Sequence, residues 1–73
     1  MINEANLYIL IGEKIRKTRE LHGITQQDLA ARCNFEKSNL SRIEAGRTNL
    51  TIKTLFKISK ELQTTIKELV DIE

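Results

Sequence analysis

The chain has 73 residues, of which 40% are apolar and 30% charged, and its formal net charge is +2. This length allows one small hydrophobic core, and the composition matches neither a disordered nor a collagen-like chain. A single cysteine excludes an internal disulfide and a cysteine-rich zinc cluster. The longest apolar run, residues 7–11, is far shorter than the roughly 20 residues of a membrane-spanning helix. Glu4 stands where a secretory signal would be basic, so a cytoplasmic location is predicted.

Apolar residues spaced three and four apart predict a first helix that ends near Gly23, in a left-handed cap. Its inward residues are Leu7, Leu10, Ile11, Ile15 and Thr18. Thr25 is expected to cap a short second helix, with Asp28 as its capping-box partner, and Asn34 is expected to end it. The inward residues of this second helix are Leu29, Ala30 and Cys33.

A third helix is predicted from Lys37 to a stop at Gly46, followed by a polar loop over residues 47–51. Thr51 and Thr65 are expected to cap a fourth and a fifth helix. The predicted buried residues of these last three helices are Leu40, Ile43, Ile52, Leu55, Ile58, Leu62, Ile66, Leu69 and Val70. The prediction is therefore an all-α fold, a compact five-helix bundle forming a single domain over residues 1–73. Its second and third helices have the dimensions of a helix-turn-helix.

Charge is distributed unevenly along the chain. Residues 14–60 carry 11 cations and 4 anions, a net charge of +7, whereas the N-terminal flank carries −2 and the C-terminal flank −3. This distribution indicates a polyanion-binding surface in the middle of the chain and a different role for the acidic C-terminus. Solvated helix faces with scattered lysines are the alternative interpretation.

Two segments, I-T-Q-Q-D-L-A-A-R at residues 24–32 and L-S-R-I-E-A-G at residues 40–46, resemble the Cro/repressor-type (XRE) helix-turn-helix family. The resemblance continues through residues 16–20 and 51–58 and covers about residues 11–70. It implies a repressor-like domain that binds double-stranded operator DNA as a homodimer and regulates transcription without catalysis. N-L-T-I-K-T-L at residues 49–55 is also similar to controller proteins of restriction–modification systems.

The resemblance implies that the third helix is a recognition helix in the major groove. Lys37, Ser38 and Arg42 match base-contacting positions of the family, and Asn39 is the next candidate. Lysine and arginine donate to guanine O6 and N7, and asparagine pairs with adenine N6 and N7. Ser41 suits either a base or a phosphate and is assigned here to phosphate.

Phosphate contacts are expected at two further places. Gln26 occupies the first position of the second helix, where the family uses a glutamine to bind phosphate with its side chain and backbone N–H. Gln27 is expected either to brace a recognition-helix side chain or to reach the DNA backbone itself. The loop residues Arg47, Thr48 and Asn49 occupy the second place where the family meets phosphate.

Two charged residues match a family salt bridge instead of a DNA contact. The resemblance pairs Arg19 of the first helix with Glu44 of the third, and the alternative is that Arg19 binds a DNA phosphate.

Glu36 departs from the family, which usually has serine or threonine as the cap of the third helix. Its carboxylate interacts favourably with the helix dipole but repels a nearby phosphate. The alternative is that it accepts a hydrogen bond from the N4 amine of a cytosine.

The C-terminal segment is expected to support homodimerisation, as it commonly does in this family. The predicted interface residues are Ile66, Leu69, Val70 and Ile72 in the segment 65–73, and the alternative is that they complete the monomer core. No sensing domain is expected, so regulation would depend on dimer concentration or on another protein. RNA polymerase and a toxin both stay open as such partners.

No grouping of nucleophile, base and orienting acid is recognisable in the sequence, so the chain is predicted not to be an enzyme. Cys33 is interpreted as a small core residue, and no metal, cofactor or small-molecule ligand is expected.

Two competing functions stay open. One is a protein-interaction module of the same fold, such as an antitoxin that neutralises a toxin. The other is a basic amphipathic helix on a membrane surface, formed by residues 14–19 beside residues 7–11.

Overall fold

The computed structural model describes residues 2–72 and confirms the all-α fold with five helices and, in this range, no strand. The helices are α1 (Glu4–Leu21), α2 (Gln26–Cys33), α3 (Lys37–Glu44), α4 (Ile52–Glu61) and α5 (Ile66–Leu69). α1 packs against α3 and α5, α2 against α3 and α4, and α4 against α5. No helix of residues 2–72 has the length and apolar character needed to cross a bilayer.

Four of the five helices begin with a polar side chain that accepts a hydrogen bond from the backbone N–H three residues later. These bonds join Asn3 to Asn6, Thr25 to Asp28, Thr51 to Thr54 and Thr65 to Glu68, at 2.9–3.1 Å. The three predicted threonine caps are therefore confirmed. α3 differs, because its cap residue Glu36 makes no side-chain hydrogen bond to the helix.

The left-handed conformations predicted at Gly23 and Asn34 are also confirmed, and the predicted stop at Gly46 is left-handed as well. Asn34 has φ of 60° between α2 and α3, and Gly23 and Gly46 have φ of 67° and 73° after α1 and α3. Asparagine adopts this conformation more readily than most residues with a Cβ atom. Gln63 also has a left-handed φ of 56° after α4, although glutamine is not a residue type that predicts this conformation.

The core is built from one face of each helix together with the connecting residue Ile24. Its buried apolar residues are Ile11, Ile15, Ile24, Leu29, Ala30, Cys33, Leu40, Ile43, Leu55, Ile58, Leu62 and Leu69. Three predicted inward positions are wrong, since Leu7 is 36% exposed, Ile52 is 70% exposed and Val70 is 39% exposed. At 100° per residue, Ile52 lies about 40° from the exposed Phe56 and on the flank of the stripe that buries Leu55. Val70 is the cap residue that follows Leu69, the last residue of α5.

The N-terminal half of α1 lies against the C-terminal end of α3. A Cβ atom on Gly12 would be 2.5 Å from the carbonyl oxygen of Ile43 and 2.6 Å from that of Glu44. A Cβ atom on Gly46 would be 2.5 Å from the Cα atom of Ile9. The absence of side chains at both glycines is what allows the two backbones to approach, and this contact sets where α3 lies.

Candidate nucleic-acid interface

α3 has a polar exposed face and an apolar buried face. Leu40 is completely buried and Ile43 is 2% exposed, so these two side chains hold the helix in the core. The side chains assigned to bases or phosphate on this helix are all exposed. They are Lys37, Ser38, Asn39, Ser41 and Arg42. The predicted reading residues therefore lie together on the solvent-facing side of one rigid helix.

The first turn of α3 is open to an anion. The backbone N–H groups of Asn39 and Leu40 donate to the carbonyl of Glu36, whereas those of the two preceding residues have no partner within the helix. The Lys37 side chain and this helix N-terminus bring positive charge to the same place. The exposed carboxylate of Glu36 opposes them.

Gln26 begins α2 and is half-buried, and its side chain has a partner that the sequence analysis did not find. Its Nε2 donates to Glu44 Oε1 at 3.2 Å. Gln27 is exposed. The Thr25 hydroxyl caps the N–H of Asp28, so the N–H groups of both glutamines precede the hydrogen-bonded part of the helix.

The loop after α3 presents its side chains beside the start of α1. Arg47 and Asn49 are exposed and Thr48 is half-buried. Together with Glu4 and Tyr8 of α1, these loop residues line a shallow cleft. The three loop residues predicted to contact phosphate therefore lie together in one cleft. The carboxylate of Glu4 also lines this cleft and would repel an anion bound there.

Arg19 and Glu44 form the salt bridge that the family resemblance implies. Arg19 Nε donates to Glu44 Oε2 at 2.8 Å and Nη2 donates to Oε1 at 3.0 Å, while Nη1 donates to the carbonyl of Ile24 at 2.9 Å. The two side chains are 11% and 4% exposed. The hydrogen bonds to Glu44 raise the pKa of Arg19 although burial opposes the shift, so the guanidinium stays charged. All three nitrogens of Arg19 are engaged inside the protein, which argues against the alternative that it binds phosphate.

The C-terminal residues assigned to a dimer interface are not equivalent. Leu69 is completely buried in the core of the monomer, so its assignment to a contact with a second subunit is wrong. Ile66 and Ile72 are partly buried against the same core. Val70 is the most exposed of the four, and it lines a groove with Ile72 and the N-terminal part of α1.

The interior of the domain holds the cysteine. Cys33 is 1% exposed, and burial raises the pKa of its thiol, which keeps the thiol protonated. Within residues 2–72 there is no cluster of three histidine, cysteine, aspartate or glutamate side chains arranged to hold a metal ion.

Comparison with known proteins places this arrangement in a family. The helix-turn-helix family model HTH_3 matches residues 15–69. The control protein C.BamHI of Bacillus amyloliquefaciens is 34% identical over 67 residues, which are 90% of this chain and 83% of that protein.

Two crystal structures are similar in both sequence and fold. The restriction–modification controller protein C.Esp1396I has a TM-score of 0.79 at 36% identity, covering 88% of this chain and 86% of that one. The biofilm regulator SinR, crystallised in complex with DNA, has a TM-score of 0.77 at 35% identity, covering 84% and 98%. The chain therefore belongs to the HTH_3, or XRE-type, family of DNA-binding helix-turn-helix transcriptional regulators.

Proposed function

We propose that this chain binds double-stranded DNA sequence-specifically as a homodimer and regulates transcription from a near-palindromic operator. The observation that carries the proposal is the division of α3 into a buried apolar face and an exposed polar face. In the major groove, Lys37 and Arg42 would donate to guanine and Asn39 would pair with adenine, while Ser38 would donate to or accept from either.

Phosphate contacts would fix the register of α3 in the groove. Gln26 and Gln27 would approach the DNA backbone from the start of α2, and Ser41 from α3. The second set would come from the loop after α3, whose three polar residues share the cleft beside α1. Each lysine or arginine that neutralises a phosphate makes the affinity fall more steeply with salt.

A homodimer is supported by apolar side chains that the monomer leaves in water. Val70 and the partly buried Ile66 and Ile72 remain from the predicted C-terminal interface. Ile52 and Phe56 form a second apolar surface on α4, 70% and 58% exposed. A two-fold dimer of helix-turn-helix domains places its recognition helices about 34 Å apart, which requires a near-palindromic site.

The relatives favour one regulated system. C.BamHI and C.Esp1396I are control proteins, the latter of a restriction–modification system, and SinR is described in complex with DNA. Control of a restriction–modification system is therefore the proposed context. Neither the antitoxin alternative nor a contact with RNA polymerase gains support from these three relatives.

The proposal is tested by selecting bound sequences from a random duplex pool and measuring affinity for the selected duplex at fixed salt. We expect the double variant Lys37→Ala, Arg42→Ala to bind at least about 30-fold more weakly, because each of the two guanine contacts contributes about 1–3 kcal/mol. Lys60→Ala serves as the control, since it removes a cation from the last turn of α4 and outside the proposed interface. Equal affinity of the double variant and the wild type would contradict the role of α3.

The oligomeric state is tested by analytical ultracentrifugation of two single variants. Val70→Glu and Phe56→Glu each place a charge on one of the two apolar surfaces. We expect the variant on the interface to be monomeric and to lose operator affinity, and the other to stay dimeric. A wild-type protein that is monomeric both free and on the selected duplex would contradict the homodimer.

A further inference from the structure

The Gln26 side chain is part of the buried ion pair. Glu44 Oε1 accepts two hydrogen bonds, from Arg19 Nη2 at 3.0 Å and from Gln26 Nε2 at 3.2 Å. Glu44 Oε2 accepts from Arg19 Nε at 2.8 Å. One carboxylate from the end of α3 is therefore bound both by α1 and by the first residue of α2.

The chemistry of the two groups fixes how the amide is turned. An ionised carboxylate only accepts hydrogen bonds, so the amide must present its nitrogen to Glu44 and not its oxygen. The amide nitrogen of Gln26 carries two hydrogens, and the bond to Oε1 uses one of them. The second hydrogen lies in the amide plane and points away from that bond. Gln26 is only half-buried, so part of this residue is accessible from outside.

Arg19 holds the start of α2 at a second point. Its Nη1 donates to the carbonyl of Ile24, two residues before α2 begins. Arg19 and Glu44 together thus fix the backbone that leads into α2 and the side chain of its first residue. Both bonds are formed without DNA.

We propose that Gln26 connects the Arg19–Glu44 ion pair to a DNA phosphate, and that Glu44 is the residue that positions the Gln26 amide for this contact. Glu44 holds one amide hydrogen, and the second hydrogen is thereby presented to the phosphate that α2 contacts. This inference rests on the proposed DNA binding and deepens it, because it makes a buried salt bridge determine the geometry of a backbone contact. A donor that is already oriented loses less side-chain freedom when the DNA binds.

The competing arrangement is an amide that leaves Glu44 and rotates to reach the phosphate. In that case Glu44 would lose a hydrogen bond each time DNA binds, and the ion pair would contribute to stability only. The two arrangements differ in what happens to the hydrogen that faces Glu44.

The first test follows the two Gln26 Nε2 hydrogens by NMR while the selected duplex is added to the wild-type protein. We expect the hydrogen that faces Glu44 to keep its chemical shift and the other to move downfield. A large shift of the Glu44-facing hydrogen, or loss of its proximity to Glu44, would overturn the proposal.

The second test is a mutant cycle measured as affinity for the selected duplex. Gln26→Met keeps the length of the side chain but removes the donor, and we expect roughly tenfold weaker binding. Glu44→Asp keeps the charge but withdraws the acceptor by one methylene group. We expect it to weaken binding about threefold when Gln26 is present and to have no further effect in Q26M. Equal losses in both backgrounds would mean that Glu44 acts only through stability.

A third variant keeps the proposal testable if E44D fails to fold. Gln26→Asn retains the amide but is too short to hold Glu44 and a phosphate together, so we expect it to bind as weakly as Q26M. Wild-type affinity of Q26N would overturn the proposal. If only the Gln26 variants bind normally while the Lys37 and Arg42 double variant does not, this inference fails and the proposed function stands. If all of them bind normally, the proposed function itself fails.

Discussion

The two ends of α3 are held very differently. At the C-terminal end, the backbone lies against Gly12, the Glu44 carboxylate is bound by two other helices, and Gly46 lies on Ile9. At the N-terminal end, Glu36 forms no cap bond and Lys37 is exposed. An eight-residue helix is too short to be stable by itself, so its position comes from the held end. Stability is concentrated at one end of this helix, and the surface that we propose to contact DNA lies at the other end and along its exposed face.

The largest expected effect on stability is at the C-terminal end of α3, where the Glu44 carboxylate is bound by two other helices. Glu44→Ala leaves the buried Arg19 guanidinium without its partner and removes the acceptor of Gln26, so we expect a loss of about 4 kcal/mol in the free energy of unfolding. Urea denaturation measures it. The double variant Arg19→Met, Glu44→Leu removes both charges and is expected to recover most of the loss. A single variant within 1 kcal/mol of the wild type, on the order of a surface pair, would contradict the anchoring role.

A smaller loss is expected where α1 and α3 meet. Gly12→Ala forces a methyl group to within 2.6 Å of two carbonyl oxygens, and we expect about 2 kcal/mol of destabilisation after the gain in helix propensity. Gly23→Ala is the control, because nothing lies within 4 Å of its Cβ position and the cost there is the strain of a φ of 67°, about 1 kcal/mol. Thermal unfolding followed by circular dichroism ranks the two. If Gly23→Ala were the more damaging, the close contact would not be what holds α3.

The smallest effect is expected at the N-terminal end of α3, where the substitution is expected to increase the free energy of unfolding. Glu36→Ser supplies the hydroxyl cap that α3 lacks, so we expect a gain of about 0.5–1 kcal/mol in stability. Affinity for the selected duplex should also rise at low salt, since one negative charge near phosphate is removed. Lys37→Ala at the same end should change stability by less than about 0.5 kcal/mol, because the side chain is exposed. A destabilising Glu36→Ser would show that the carboxylate already stabilises the helix through its dipole.

The sequence predicted those features that depend on neighbouring residues. Local hydrogen bonds explain the caps at Thr25, Thr51 and Thr65, because each hydroxyl accepts from a backbone N–H three residues later. The left-handed Asn34 follows from the ease with which asparagine adopts a positive φ. Helical periodicity alone places Leu40 and Ile43 in the core, and it leaves the residues that we propose to contact bases on the outside.

Features that depend on distant parts of the chain were not predictable in this way. Nothing local distinguishes Gly12 as a close backbone contact, and no spacing rule joins Gln26 to Glu44, 18 residues away. The Arg19–Glu44 pair was anticipated only through the family resemblance. Ile52 was wrongly predicted to be buried because it lies three residues before the buried Leu55. This spacing does not show how far along α4 the neighbouring helices shield its side chains from solvent.

Asn34 has a consequence for the speed of binding. A corner built on asparagine samples fewer backbone conformations than one built on glycine, which restricts the joint between α2 and α3. In the proposed complex with DNA, the pair would bind as a preformed unit and would not have to order a joint during the encounter. Association would therefore be governed by diffusion and orientation, and affinity differences among operators would appear as differences in residence time.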